Sequence, residues 1–184
     1  VGLLLAFTAV CIWAALSNGS VNDEFAAHIT GGYLYWKTFQ FAGGVDNPPL
    51  GQLWVSSPLA LMDVSLQPFM AKGLWLARLM NIVLAIALLL WIFRVSKELF
   101  GQAGALISII AACLDPNFVA HSSLATIDLP ITFLFWGAVV FFWKYLLRPR
   151  ITSLLIVSCF TGLALATKVT AFYLPILYVA IALS

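Results

Sequence analysis

The residues best suited to chemistry lie in one polar stretch, residues 22–50, of an otherwise apolar chain. The stretch opens with the acidic pair Asp23-Glu24 and ends with a third carboxylate, Asp46, just before a Pro-Pro pair. Only seven Asp and Glu residues occur in the whole chain, so three in one loop call for an explanation. A loop carboxylate can take a proton from an attacking hydroxyl, and a second can bind a divalent metal or position an acceptor. Plain solvation of loop and helix-start acids explains the same residues, so both interpretations stand at this point.

The composition makes lipid part of the solvent for this chain. Of its 184 residues, 63% are hydrophobic and 9% are charged, and the mean hydropathy is +1.05. A soluble domain carries about 25% charged residues, so this chain cannot cover a water-facing surface. The net charge is only +2 and the basic residues are scattered, which argues against nucleic-acid binding. The three cysteines each lie in an apolar run and are interpreted as packing residues.

The apolar runs predict an all-α integral membrane protein with about six transmembrane helices. A span needs about 20 apolar residues, and the predicted spans are 1–17, 73–93, 102–119, 127–143, 151–167 and 169–184. Residues 151–184 as one helix would be about 51 Å long, far more than a hydrocarbon core of about 30 Å. We therefore expect a break at Thr167-Lys168. Both chain ends lie in apolar runs, so we expect a single transmembrane module that is truncated at both ends.

The basic residues predict which ends of the spans share a side. Two short connections, separated by two spans, carry most of them, namely Arg94 and Lys97 in one and Lys144, Arg148 and Arg150 in the other. Both connections should be cytoplasmic. The opposite side then receives loop 18–72, connection 115–126 and the turn at 167–168, together with six of the seven carboxylates and both histidines. This one-sided polarity suits an enzyme working at one membrane surface. A transporter would place polar groups near the midplane.

The loop 18–72 is predicted to contain one or two interfacial helices. Aromatic and apolar residues recur there at helical spacing, at Phe25, Ile29, Tyr33 and Trp36, and Glu24 and His28 share another face. A second helix is expected over residues 49–62, with Pro49 in its first turn. The apolar faces would lie in the headgroup region, with Lys37 directed to the headgroups.

Further candidates for substrate binding lie outside the acidic pair. A substrate that carries a phosphate would need a cation to bind it. Lys168 at the predicted turn and Arg78 near the outer end of a span could supply that cation. Snorkelling to the interface is the plain interpretation of Lys168. Asp128 lies in an apolar run, where a charge is costly unless it is paired or at the water boundary. Its plain interpretation is a helix-start acid, with Thr126 as the cap.

His28 has two interpretations as well. A metal site would join it to Glu24 and Asp46, but no His-rich or Cys-rich cluster supports a closed site. A hydrogen-bonding role at the interface is therefore expected for His28.

The sequence motifs that contain these residues, and their order along the chain, resemble those of the GT-C membrane glycosyltransferases. The closest resemblance is to the protein O-mannosyltransferase-like branch (glycosyltransferase family 39 type), which includes the aminoarabinose transferases acting on lipid A. The matching segments cover nearly the whole chain and are Asp23-Glu24 with His28 and Gly32-Tyr33, Asp46-Asn47-Pro48-Pro49-Leu50, Ala77-Arg78-Leu79 with Asn81, LATIDLP at 124–130, and Gly162-Leu163-Ala164 followed by Thr167-Lys168.

The resemblance implies transfer of a sugar from a polyprenyl-phosphate-linked donor to a hydroxyl acceptor, with inversion, at the outer membrane face. The leaving polyprenyl phosphate is a stable anion, so one carboxylate acting as base is enough, unlike glycoside hydrolysis. The family's proposed base corresponds to Asp23, and Asp46 belongs to the same site. Substrate contacts are expected from Glu24, His28, Arg78, Asp128 and Lys168.

The resemblance also implies partners and a location. The expected partners are the lipid-linked donor, membrane lipids, a protein or lipid acceptor and other membrane proteins. The expected location is the plasma (inner) membrane or the endoplasmic reticulum, with the first loop periplasmic or luminal. No cofactor is certain, and a divalent metal held by Glu24 and Asp46 remains open.

Two departures from the family pattern support an alternative. Many members have Glu followed by a basic residue or histidine before Pro-Pro, whereas this chain has Asp46 and the neutral Asn47. Members are also much longer, with more spans. The alternative is a non-catalytic GT-C-like subunit of a larger membrane complex.

Overall fold

The computed structural model describes residues 1–41, 43–62 and 73–183. This part is 84% helical and contains no strand, which confirms the predicted all-α class. The elements in order are α1 (Gly2–Ser17), a π-helix (Asp23–Ile29) that continues into α2 (Thr30–Thr38), α3 (Leu50–Leu61), α4 (Leu74–Leu114), α5 (Pro116–Ser123), α6 (Asp128–Leu147), α7 (Ile151–Leu165), a 3-10 helix (Val169–Tyr173) and α8 (Leu174–Leu183).

Two of the described helices, α4 and α6, are long and apolar enough to cross a membrane. Three further apolar segments are shorter, namely Gly2–Ser17, Ile151–Leu165 and Val169–Leu183. The predicted count of six spans therefore stays a prediction. The predicted span 73–93 corresponds to the part of α4 before Gly101, and the predicted span 102–119 to the part after Gly101 together with the start of α5.

Helix α4 is interrupted at Gly101. A straight helix of its 41 residues would be about 62 Å long. Gly101 has φ 72° and ψ −169°, a backbone conformation that essentially only glycine adopts. Beyond this break, Cys113 packs in the same core cluster as Ile82 before it, with Cys11 of α1. The second part of α4 therefore folds back along the first.

The first loop is packed against the helices that follow it. One core cluster joins Ile29 of the π-helix, Val55 and Leu59 of α3, Ala77 of α4 and Ala125, and all five are fully buried. Helices α2 and α3 approach so closely that a Cβ atom added at Gly32 would lie 2.2 Å from the backbone oxygen of Gln52. The Lys37 ammonium, predicted to face the headgroups, donates to the Ala60 carbonyl at 3.2 Å. The loop helices thus have defined positions relative to α4.

The chain turns between α7 and the 3-10 helix at the position where the sequence predicts a break. The N–H groups of Thr167 and Lys168 both donate to the Ala164 carbonyl, at 3.0 and 3.1 Å. The Leu50 N–H donates to the Ala166 carbonyl at 3.0 Å, so the start of α3 lies against this turn. The end of the first loop and the 166–168 turn consequently meet.

Candidate functional site

A buried ion pair between Glu24 and Arg78 attaches the first loop to α4. Both side chains are fully buried. The Arg78 Nε and Nη2 atoms donate to Glu24 Oε1 and Oε2 at 2.9 and 2.7 Å, which is bidentate pairing. Arg78 also donates to the carbonyl oxygens of Ala15, Asn18 and Gly19 at 2.9, 2.8 and 2.7 Å. One guanidinium therefore holds the end of α1, the following turn and the π-helix together.

Glu24 has its own second set of partners. It accepts from the backbone N–H of Val21 at 3.0 Å and of Ala125 at 2.7 Å. Burial alone would raise the pKa of Glu24, but the hydrogen bonds from Arg78 and from the two backbone N–H groups, with the Arg78 charge, hold that pKa below its ordinary value. The sequence predicts substrate contacts from Glu24 and Arg78. The geometry offers neither residue an exposed atom for that purpose.

Asp23 has the opposite environment to its neighbour. It is exposed, and its carboxylate forms no hydrogen bond or ion pair within residues 1–41, 43–62 and 73–183. Both acids belong to the first turn of the π-helix, a rare element that is frequent at functional sites. Glu24 is anchored inward by Arg78, and the adjacent Asp23 is exposed. An exposed carboxylate of this kind can accept a proton.

His28 follows one turn later and lies among several charges. It is half-buried, and its Nδ1 atom is buried without a hydrogen-bond partner in the described residues. Burial lowers the pKa of His28, while the nearby carboxylates of Asp128 and Asp23 partly oppose that effect and the Lys168 charge adds to it. His28 is therefore neutral at neutral pH. These mutual charge effects also show that the π-helix, the start of α6 and the 166–168 turn converge.

Asp128 and Lys168, 40 residues apart in sequence, form an ion pair at this end of the molecule. The Lys168 Nζ donates to Asp128 Oδ1 at 2.6 Å, and His121 Nδ1 lies 3.6 Å from Asp128 Oδ2. All three side chains are partly exposed. Asp128 occupies the first turn of α6, as predicted, but Thr126 is not its cap. The residue before the helix is Ile127, and no side chain caps this terminus.

Asp46 lies in an exposed turn that approaches the same region. The neighbouring Asn47 accepts a hydrogen bond through Oδ1 from the Val169 N–H at 3.5 Å. Asp46 itself is exposed and forms no hydrogen bond or ion pair with the parts of the chain that the structure describes. Asn47 can accept this bond because its side chain carries an amide oxygen. A Lys or Arg side chain at position 47 has no acceptor atom and could not form the bond with Val169.

Two cavities adjoin the residues around Asp128 and Lys168. One, of about 430 Å³, is almost entirely apolar and is lined by Leu50, Gly51, Trp54, Leu84, Pro130, Phe133, Leu134, Leu163 and Thr167. The other, of about 230 Å³, is lined by Asp115, Asn117, Phe118, His121, Asp128, Leu129 and Thr132. The apolar cavity can hold a hydrocarbon chain close to the Lys168 cation, and the smaller cavity offers polar groups.

Glu24 cannot act as a ligand in the predicted metal site. That carboxylate is fully buried and bonded to Arg78, so it has no free oxygen for a cation beside Asp46. Within the described ranges, no group of three or more His, Cys, Asp or Glu side chains could hold a metal ion.

Asn81 belongs to the same family-like segment as Arg78, but the sequence predicts no role for it. Asn81 is fully buried, and its Nδ2 donates to the carbonyl oxygens of Leu124 and Thr126 at 2.7 and 2.8 Å. It therefore holds the segment that precedes Asp128. The sequence contains a signal for this role, because Arg78 and Asn81 are three residues apart and therefore share one helix face.

Comparison with known proteins identifies the family. A family model described as dolichyl-phosphate-mannose-protein mannosyltransferase matches residues 56–184, which is more than half of the chain. The family is membrane-associated, and its description names a glycosyltransferase with a dolichyl-phosphate-linked mannose donor and a protein acceptor. No curated protein and no solved structure matches the sequence. The matched range contains Arg78, Asp128 and Lys168 and begins after Asp23 and Asp46, and it confirms the predicted family. The chain therefore belongs to the dolichyl-phosphate-mannose-protein mannosyltransferase family.

Proposed function

We propose that this chain carries the active site of a glycosyltransferase that moves a sugar from a polyprenyl-phosphate-linked donor to a protein hydroxyl, with inversion, at the outer face of a membrane. The observation that supports it most is the contrast within the acidic pair. Glu24 is buried and bonded through both oxygens, whereas Asp23 is exposed without a partner in the described residues. The pair thus combines an anchor and a free base.

In this proposal Asp23 is the general base. Its carboxylate takes the proton from the acceptor hydroxyl while that oxygen attacks the sugar C1 from the side opposite the phosphate. The bond between C1 and the phosphate oxygen breaks, and the electron pair leaves with the polyprenyl phosphate. Because that group is already a stable anion, no acid is required on the leaving side.

Lys168 and His28 are proposed to contact the donor phosphate. One of the three N–H bonds of the Lys168 ammonium is used by Asp128, so two remain for phosphate oxygens. His28 is only half-buried and lies near the Lys168 and Asp128 charges, and its neutral ring can donate one N–H to the same network. The apolar cavity beside Thr167 would receive the first isoprene units.

Asp46 is proposed to position the acceptor. It is exposed, and the adjacent Asn47 is bonded to the residue after Lys168, which brings this turn close to the proposed phosphate position. A carboxylate there can accept a hydrogen bond from the acceptor before transfer.

The decisive variant is Asp23→Asn, which keeps the shape and removes the base. We expect the rate of sugar transfer to fall by about 100-fold or more, as for loss of general base catalysis. The assay uses the full-length protein in liposomes, a polyprenyl-phosphate mannose donor and a Ser/Thr acceptor peptide. The thermal midpoint should not change, because Asp23 forms no bond with the described residues.

The matched control is Asn22→Ala at the preceding exposed position, which makes no side-chain cap bond and should retain activity. Undiminished transfer by Asp23→Asn would remove Asp23 from the mechanism. Absence of transfer by the wild-type chain, with stable association in a larger complex, would instead favour the non-catalytic subunit that the Asn47 departure suggests.

A further inference from the structure

A second polar cavity lies at the opposite ends of the helices from the proposed active site. It has a volume of about 420 Å³ and is lined by Glu98 of α4, Trp143, Lys144 and Leu147 of α6, Arg148 and Arg150 of the following connection, and Ser153 of α7. Asp128 begins α6, and Lys144 lies about 24 Å farther along the same helix. The cavity is therefore separate from the site around Asp23 and Lys168.

The cavity has an excess of positive charge. Lys144 Nζ lies 2.9 Å from Glu98 Oε2, so the single carboxylate in the lining is already paired. Arg148 and Arg150 are exposed, and neither side chain forms a hydrogen bond or ion pair with the described residues. Since the whole chain has a net charge of only +2, two uncompensated guanidiniums in one concave space represent a local concentration of charge.

The backbone explains why both guanidiniums face this space. Arg148 and Arg150 have extended backbone conformations, with φ/ψ of −146°/91° and −133°/140°. Residues two apart in an extended segment point to the same side, and Pro149 between them restricts the connection. Simple interfacial anchors would spread into the headgroups, whereas these two side chains share one cavity with the Ser153 hydroxyl and the Trp143 ring.

An apolar cavity adjoins the basic one at Trp143. It has a volume of about 280 Å³ and a wholly apolar lining of Val95, Leu99, Trp136, Val139, Val140, Trp143 and Ile181. Trp143 lines both cavities, so a ligand with an anionic head and a hydrocarbon tail can occupy the two together. Guanidinium groups bind phosphate oxygens bidentately, and apolar side chains accept an acyl chain. A free phosphate ion would leave the apolar cavity unused.

From this juxtaposition we propose that the cavity bounded by Lys144, Arg148, Arg150 and Ser153 binds the phosphate headgroup of an anionic membrane lipid, with an acyl chain in the adjoining apolar cavity. This binding site goes beyond the proposed function, since it lies at the opposite end of α6 from the proposed active site.

The test measures lipid binding by the full-length protein purified in neutral detergent. Phosphatidylglycerol should raise the thermal midpoint and remain bound in native mass spectrometry, whereas phosphatidylcholine should do neither. The double variant R148Q/R150Q should bind phosphatidylglycerol about tenfold more weakly or worse. The number of bound lipids is measured only for the folded protein in native mass spectrometry, so the test stays valid if the variant is less stable.

The control is Arg94→Gln, a change at an exposed basic residue of α4 that is not part of the cavity lining, and it should bind the lipid like the wild type. An equal loss in Arg94→Gln would show that only general surface charge matters and would overturn the proposal. Retained binding in R148Q/R150Q would overturn it as well. Stabilisation by inorganic phosphate to the same extent as by phosphatidylglycerol would show a free-anion site instead.

Discussion

Asp23 and Glu24 are adjacent residues of the same type with opposite environments. A buried charge is costly unless it is paired and hydrogen-bonded, and Glu24 satisfies both oxygens with Arg78 and with the N–H groups of Val21 and Ala125. Asp23 remains exposed. From the sequence, either acid could have been the free one, because their orientation depends on how the π-helix is rotated against α4.

Glu24→Gln should destabilise the protein strongly. The change leaves the buried Arg78 without a countercharge, and breaking such a pair costs about 3–5 kcal/mol. Thermal unfolding in detergent measures the effect, and Asp23→Asn is the matched control with an unchanged midpoint expected. Equal midpoints for the two variants would contradict the anchoring role of Glu24.

Low pH should remove the stability that the Glu24–Arg78 ion pair gives to the folded protein. The pKa of Glu24 in the folded protein lies below its ordinary value of 4.5, through Arg78 and backbone hydrogen bonds that outweigh the effect of burial. The stabilisation is therefore fully present above about pH 4.5 and is lost as the pH falls through the lowered pKa. The difference in midpoint between wild type and Glu24→Gln should narrow towards acid pH. A difference independent of pH would show that the charge of Glu24 is not responsible.

At the scale of elements, close helix contacts and one backbone break position the site. Helices α2 and α3 meet at Gly32, where an added Cβ would lie 2.2 Å from the Gln52 backbone oxygen and 2.4 Å from Ser56 Oγ. Gly101 interrupts α4 and lets its second part pack back on α1. The spacing of apolar residues predicted helices in the loop, but such spacing does not show how near two helices come.

Gly32→Ala should separate α2 from α3 and cost about 1–3 kcal/mol, as overpacking does. The obstacle is a backbone oxygen, which cannot rotate away. The control is Gly162→Ala in α7, where nothing lies within 4 Å of the added Cβ, so stability should stay the same or rise by up to about 1 kcal/mol from helix propensity. The thermal midpoints decide the matter, and a neutral Gly32→Ala would contradict the close contact.

For the whole molecule, the two polar regions lie at opposite ends of the long helices. The proposed active site is at the end that carries Asp23, Asp128 and Lys168, and the basic cavity is about 24 Å away along α6. This separation agrees with the charge pattern along the chain. The assignment of the basic end to the cytoplasm remains a prediction from the basic residues.

Single cysteines can test this sidedness. In a Cys159→Ser background, Gly19→Cys should react with a membrane-impermeant maleimide in intact cells, whereas Lys97→Cys should react only after permeabilisation. Both positions are exposed, and no atom lies within 4 Å of the added Cβ at Gly19. The remaining cysteines, Cys11 and Cys113, are buried, and the background protein measures their reactivity. Labelling of both positions from the same side would contradict the predicted topology.

The sequence by itself determined the all-α class, membership of a membrane-associated family and the family's identity, whereas the acidic pair as the functional region stays a prediction. These properties follow from composition, local periodicity and ordered motifs, which need no knowledge of distant contacts. Only the tertiary structure decided that Glu24 anchors Arg78 across 54 residues, that Lys168 pairs with Asp128 across 40, and that Asp23 is left free. The physical reason is that the partner of a polar group depends on how several helices pack together, and local spacing carries no information about that packing.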